Sequence, residues 1–370
     1  MKKRICLIIA LGLIFTTSLS ANAFNWKFWV KKKDVKQVEY PVNNTENAKK
    51  SQSEVEIVPT MNTYSNSKNF VWVGTFQLIW NDLIDEIVKQ PVQFIGTKSV
   101  MADNLNRKEF TASDLSESSY YKKWGLASPK MKKEIEKGIK EKFNETSDIL
   151  GYFDWTPAER KYILYAMLKK DFEYAEKFDK LQDAQFVGSD TPVKYFGIDS
   201  NSSETLRDTV GVLFYNNNND YAVSLKSKQG DTIYLYRTDE DKTLDLLYSD
   251  MMKKSDNYTG NRRLTRVDRF KAPNIDFKKE RTFDELCNKL IKNTDYIISQ
   301  AIETVQFKMD ETGVKLKSEA GIMMKATSVG PGHRIEPRYF YFNNKYAIFI
   351  QEKEKPYFAM KVADAAKLQK

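Results

Sequence analysis

From Glu303 to Phe342 the chain alternates, breaks at a glycine, alternates again, and then runs into Gly-Pro-Gly. In Val305-Gln306-Phe307-Lys308-Met309 apolar and polar side chains take turns, with the period of a half-buried strand. Gly313 follows two acids and a threonine, and glycine takes unusual backbone angles at little steric cost. Beyond it Val314, Leu316, Ser318, Ala320, Ile322 and Met324 share one parity, while Lys315, Lys317 and Glu319 fall on the other. Gly330-Pro331-Gly332 cannot belong to a sheet interior. This order predicts a strand, a glycine hinge, a second segment able to become a strand, and an exposed span. A period of two makes the register of such a segment compulsory, with Val314, Leu316, Ser318, Ala320 and Ile322 inward.

The residues that carry this pattern resemble a known family. Asp310-Glu311-Thr312-Gly313 matches a "(D/E)E-x-G" hinge, and Phe342-Asn343 matches an aromatic-Asn pair that opens a following strand. Upstream, Lys271 to Phe277 is similar to a "P-x-F-x-I" strand; downstream, Tyr346–Ile350 and Pro356–Val362 resemble two closing core strands. Residues 206–362 thus resemble the serpins, and the chain is expected to be a divergent bacterial relative. The resemblance implies an α+β fold of mostly antiparallel sheets with packed helices and an exposed C-terminal reactive loop over 314–338. It implies hinge roles for Glu311, Gly313, Val314, Leu316, Ser318 and Ala320. The scissile bond is expected near Thr327-Ser328, with Lys325-Ala326 as the alternative. Lys325 would suit a protease with an anionic specificity pocket, and Thr327 or Ser328 an elastase-like one.

What the resemblance implies for function is a secreted suicide inhibitor of serine or cysteine proteases, monomeric and without a cofactor, whose cut loop inserts as an extra strand. The chain also departs from the family's hinge of small residues. Val314 and Leu316 are larger, and Lys315 and Lys317 are charged. The alternative is therefore a non-inhibitory relative, a binding or structural protein of the cell envelope.

Lys2-Lys3-Arg4 precede an apolar run from Ile5 to Phe15, and Ala21-Asn22-Ala23 supplies an A-x-A site. That reads as a Sec-type signal peptide over 1–23, cleaved after Ala23, leading to a secreted or periplasmic product. A spanning helix would need ~20 apolar residues. After cleavage the charge falls from +9 to +6, and Cys287 is the remaining cysteine, so no internal disulfide can form. Residues 24–68 are rich in Lys, Asn, Ser, Glu and Thr and read as a polar linker. Residues 69–370 then form one domain, with no integral membrane segment.

Within that domain, Thr75 is expected to cap a helix carrying Phe76, Ile79, Trp80, Leu83, Ile84 and Ile87, stopped by Pro91. Ser128-Pro129 opens a second helix with Met131, Ile135, Ile139 and Phe143 as its stripe. Thr156-Pro157-Ala158-Glu159 is a capping box that predicts a helix from Ala158. The family resemblance instead puts a central-sheet strand at Ile163–Leu168, so residues 158–180 carry two readings. Thr282-Phe283-Asp284-Glu285 predicts a helix with Phe283, Leu286, Cys287 and Leu290 inward. Strands are expected at Val210–Tyr215, and a hairpin turns at Lys228-Gln229-Gly230-Asp231.

Enzyme chemistry finds little support. His333 is the single histidine and lies in a Gly/Pro span, unsuited to a Ser-His-Asp or Cys-His arrangement. Common zinc sites need several His or Cys. No G-x-S-x-G, Walker loop or G-x-G-x-x-G occurs. The positive excess is mild and lacks an Arg-rich block, which argues against nucleic acid. A hydrolase using carboxylates alone leaves no sequence signature and stays as a third reading.

Overall fold

The computed structural model describes residues 55–314 and 336–369. Strand β1 (Glu56–Ile57) pairs in parallel with β2 (Phe70–Val73), so part of the expected 24–68 linker is folded and buries Val55, Ile57 and Val58. Helix α1 (Thr75–Asp82) follows, and its axis continues as a π-helical turn over Leu83–Val88. Gly74, not Thr75, is the capping position, and Lys89 in a left-handed conformation ends the π turn before Pro91. Then come α2 (Val100–Leu105), β3 (Tyr120–Leu126) and α3 (Pro129–Phe143). Helix α3 starts as expected: Ser128 Oγ accepts from the Met131 amide at 3.1 Å, and Ile135 and Ile139 are buried.

Residues 158–180 form strands as the resemblance implied: β4 (Tyr162–Leu168) and β5 (Phe172–Glu173), followed by β6 (Asp179–Gln185) and β7 (Pro192–Ile198). But β4 lies in a two-stranded pair and not in the large sheet. The expected helix from Ala158 does not form, because Asp154 Oδ1 captures the Thr156 amide at 2.9 Å and Arg160 adopts a left-handed conformation. After α4 (Glu204–Asp208), strands β8 (Val210–Asn217), β9 (Asp220–Lys226) and β10 (Thr232–Arg237) form the expected meander. Helix α5 (Leu244–Asn257) buries Leu244, Leu247 and Met251.

Strands β11 (Arg269–Pro273) and β12 (Ile275–Thr282) lead to the second correction. Past Thr282 the chain makes one 3-10 turn over Asp284–Leu286, not a helix. Phe283, Leu286 and Cys287 are buried as expected, but Leu290 is exposed. Burial of Phe283 against Phe76, centroids 4.3 Å apart, holds the chain in an irregular path there. The remaining strands are β13 (Ile302–Met309), β14 (Gly313–Val314), β15 (Tyr339–Tyr341), β16 (Tyr346–Gln351) and β17 (Pro356–Val362). Strand β15 closes just before Phe342-Asn343 and β16 begins at Tyr346, so that pair lies between two strands and opens neither.

A seven-stranded sheet runs β1-β2-β17-β16-β10-β9-β8, and a four-stranded one β15-β11-β7-β6. Every residue of β17 and nearly every residue of β16 is buried, as expected of central strands covered on both faces. Three two-stranded pairs complete the set: β3-β4, β12-β13 and β5-β14. All pairings are antiparallel except β1-β2 and β11-β15. The fold is therefore α+β with mostly antiparallel sheets.

Candidate functional site

The site is built between two of the two-stranded pairs, β3-β4 and β12-β13. Strand β4 pairs with β3, from Tyr120 opposite Leu168 to Leu126 opposite Tyr162. Strand β13 pairs with β12, from Ile275 opposite Met309 to Thr282 opposite Ile302. Among the described residues β4 and β13 do not bond to each other, so each leaves one edge without a partner strand. A cavity of about 460 Å3 is lined by both strands, including Ile163, Tyr165 and Met167 on one and Ile302, Glu303 and Thr304 on the other. Phe76 and Ile79 of α1 also line it. It is a slot between strands, and its lining is largely apolar.

Beyond β4 and β13 the chain pairs again, through β5 and β14. The chain leaves β13 through Asp310 to Gly313, which bridge each other, and β14 then lies antiparallel to β5. Gly313 is opposite Glu173 and Val314 opposite Phe172. The turn is held by several short bonds. The Tyr174 amide donates to Thr312 O at 3.2 Å, and the Phe178 amide donates to Glu311 O at 2.9 Å. Asp310 Oδ1 accepts from the Thr312 amide at 2.9 Å. Burial pushes the Asp310 carboxyl up, but the Thr312 bonds and the Lys308 ammonium outweigh it and hold it below the usual carboxylate range.

Gly313 has φ of +140°, and a Cβ there would lie 2.4 Å from the Phe172 carbonyl oxygen. Only glycine lets the backbone approach so closely. Val314 is buried beside Phe172, which is fully buried. The side chain of Val314 therefore faces the core, the parity expected from the sequence. Glu311 is buried too, with Lys180 Nζ at 3.2 Å and Lys177 Nζ at 4.0 Å. The structure thus brings Glu311, Gly313 and Val314 together in the turn that leads from β13 to β14. Leu316, Ser318 and Ala320, the scissile candidates Lys325, Ala326, Thr327 and Ser328, and His333 lie outside the described residues.

The chain on the far side of that segment is also anchored. Arg338 donates from Nη2 to Asp268 Oδ2 at 2.8 Å and from its amide to Asp268 Oδ1 at 2.8 Å. Its guanidinium also reaches the carbonyls of Asn261 and Arg263, both at 2.7 Å. Burial would raise the Asp268 carboxyl, yet the Arg338 and Thr265 bonds more than offset that and keep it low. Strand β15 then continues in parallel with β11, Arg269 opposite Tyr339.

Two features of the site were not read from the sequence. Lys170, beyond β4, joins Asp231 at 3.0 Å and Glu352 at 2.8 Å beneath the Tyr357 ring. Glu303 lies at the slot with 5 % exposure, and neither carboxyl oxygen has a hydrogen-bond partner. Its signal was present: Glu303 shares the parity of Val305, Phe307 and Met309, the buried set of β13. Among the described residues no cluster of His, Cys, Asp and Glu fit to hold a metal occurs.

No family model and no curated protein matches the chain. Three solved structures similar to it are serpins. A specific serpin of the insect Tenebrio molitor, Serpin48, aligns over 80% of this chain and 91% of its own, with a TM-score of 0.49 and 12% identity. Arabidopsis AtSerpin1 in its native stressed conformation covers 83% of this chain and 94% of its own, with a TM-score of 0.48 and 14% identity. Human thyroxine-binding globulin covers 78% and 95%, with a TM-score of 0.44 and 10% identity.

Proposed function

We propose that the chain is a serpin-like suicide inhibitor of serine or cysteine proteases, secreted through its N-terminal signal sequence. The observation that carries this reading is the pair of strands β4 and β13, which line one cavity and do not bond to each other, with β14 after β13 paired to β5 after β4. Two open edges facing one cavity form a template to which a further strand can add its backbone bonds.

The pairing of β14 sets the register of any such strand. Asp310 opposite Gly313 fixes the hairpin, and Val314 opposite Phe172 fixes the other edge. Continued in step, Leu316 falls opposite Phe307, Ser318 opposite Val305 and Ala320 opposite Glu303. These β13 residues are buried, so the even-numbered loop residues enter the core and Lys315, Lys317 and Glu319 stay outward. The inward set has its small residues, Ser318 and Ala320, in the middle and returns to the larger Ile322.

In the proposed cycle a protease's hydroxyl or thiol attacks a carbonyl between Lys325 and Ser328. The peptide C–N bond breaks, the new amine leaves with the downstream chain, and an ester or thioester joins the protease to the upstream end. Insertion of residues 315–324 then carries the protease away before water reaches that bond. Incubation with a matched protease is expected to give a covalent complex that survives SDS. Clean cleavage with full protease activity remaining would reject inhibition and leave the second reading, a non-inhibitory binding protein on the same scaffold. The larger Val314 and Leu316 and the charged Lys315 and Lys317 favour that second reading.

A further inference from the structure

Another cavity, of about 180 Å3, is lined by β2, the start of α5 and the chain that leads into β17. An apolar cavity of ~150 Å3 is enough to hold a benzene ring. Three rings belong to its lining: Trp72 of β2, Phe110 from the segment after α2, and Tyr248 of α5. Contacts around the cavity hold them. Trp72 and Phe110 meet edge to face, with centroids 5.5 Å apart and planes at 88°. Phe110 lies against Gly74, where a Cβ would strike its ring, and its carbonyl accepts from Asn81 Nδ2 at 2.9 Å. The Tyr248 hydroxyl donates to Gln351 Oε1 at 2.6 Å.

Two polar atoms of the residues lining this cavity are buried and have no hydrogen-bond partner. One is Nε1 of Trp72, a residue with 4 % exposure, and the other is Oδ1 of Asp245. Buried groups of both kinds ordinarily find a partner, because an unpaired one forfeits its hydration. Asp245 stands in the first turn of α5, where an anion is favoured, but that turn supplies no hydrogen bond to Oδ1. The other charged and amide groups of the lining are engaged. Lys355 Nζ donates to the Glu109 carbonyl at 2.8 Å and stands 3.8 Å from Asp114, while the Glu109 carboxylate stands 3.7 Å from Arg107. Gln77 donates to Asn81 Oδ1 at 2.9 Å and to Leu105 O at 2.8 Å. What remains is one charged acceptor, one neutral donor and three aromatic faces.

We propose that this cavity is a binding site for a small tertiary ammonium that carries an oxygen acceptor. Its single N–H donates to Asp245 Oδ1, its methyl groups lie against the negative faces of the rings, and its oxygen accepts from the Trp72 N–H. An anion would be repelled by Asp245, and a hydrocarbon would leave both polar atoms unpaired. A primary ammonium brings three donors to a lining with one unpaired carboxylate oxygen, so it fits less well. Glu109, Ser249 and Lys355 of the lining are exposed, which leaves the guest a way in. This cavity shares no lining residue with the slot between β4 and β13, and the proposal does not rest on the inhibitor reading.

Calorimetric titration of the whole chain with dimethylethanolamine tests this. Two controls each lack one element of the match. Isopentyl alcohol keeps the shape and the hydroxyl without the charge, and dimethylethylamine keeps the charge without the oxygen. Dimethylethanolamine is expected to bind saturably, the alcohol at least about tenfold more weakly and the plain amine about fivefold more weakly. Asp245→Asn should remove the preference over the alcohol, and Trp72→Phe the preference over the plain amine. No saturable binding of dimethylethanolamine, or equal binding of either control, would overturn the proposal and leave the cavity to water. Should either variant not fold, the comparison of the three compounds on the wild type decides by itself.

Discussion

Gly313 and Phe172 are so close that a single methyl group on Gly313 would sit 2.4 Å from the Phe172 carbonyl oxygen. A Cβ would also come within 2.7 Å of the Glu173 Cα, and both obstacles are backbone. The two-residue strand β14 thus depends on the absence of a side chain.

Gly313→Ala is expected to push β14 off β5. The positive φ adds about 1–3 kcal/mol of strain, and the backbone clash adds to it. Urea unfolding should show a loss of at least about 2 kcal/mol, and exchange protection at the Tyr174 amide should fall. A variant as stable as wild type, with that amide still protected, would mean that β14 does not depend on the close approach of Gly313 to Phe172.

Arg338 and Asp268 should behave as a coupled pair. Asp268 has no exposed surface, so Arg338→Ala leaves its charge buried without its main partner. Breaking such a pair costs about 3–5 kcal/mol. The sign with pH follows from the lowered Asp268 carboxyl. A depressed folded-state value contributes stability above the ordinary carboxylate range, lost as pH falls through the folded value. Wild type should therefore lose this contribution only in acid, below about pH 4, whereas Arg338→Ala starts lower and falls less steeply. Thermal unfolding between pH 2 and pH 7 checks both statements.

Lys170 bridges Asp231 and Glu352, and the bridge affects the acid limb as well. Burial would raise the Glu352 carboxyl, but Lys170 and Ser116 bring it down to about 2. Lys170→Met is expected to cost about 3 kcal/mol, since it strands two acids beside the buried Tyr357. It should also make stability fall less steeply in acid, because Glu352 then protonates nearer its ordinary value and its pH-dependent contribution is lost. Denaturation midpoints at pH 3 and pH 7 would show whether the loss shrinks in acid, as it must if Glu352 is the group concerned.

Ala320→Glu tests the register proposed for insertion. Continued pairing sets residue 320 opposite Glu303, so a second carboxyl there meets a buried acid. The expected outcome is loss of the SDS-stable complex with cleavage retained, while Glu319→Lys, on the outward parity, leaves the complex intact. If both variants form complex equally well, the loop does not enter in this register. Heating is a second check: cleavage near Lys325–Ser328 should raise the melting temperature of the wild type and not of Ala320→Glu.

Much of this was legible in the residues themselves, for identifiable reasons. The runs Tyr346–Ile350 and, apart from Lys361, Pro356–Val362 are apolar because they form central strands, and they read as strands. Parity named Val314 as inward, and the structure buries it. The two capping boxes misled for a shared reason. A box satisfies amides locally, but other contacts took those residues first: Asp154 at Thr156, and the packing of Phe283 on Phe76 after Thr282. Glu303 was hidden in a different way. An acid on a strand reads as solvated unless its parity is compared with Val305, Phe307 and Met309. The meeting of β4 with β13 joins segments far apart in sequence, which no local pattern announces.

The placement of β16 and β17 has a consequence for any molecule cut between residues 315 and 335. The piece from 336 onward supplies two inner strands of the seven-stranded sheet, flanked by β2 on one side and β10 on the other. Neither piece can leave without exposing a core, so a severed molecule should elute from a sizing column as a single particle. It would come apart into two polypeptides only in detergent or denaturant. Scission here would change connectivity without dividing the body, and a nicked protein would pass unnoticed in any assay that reports mass in native buffer.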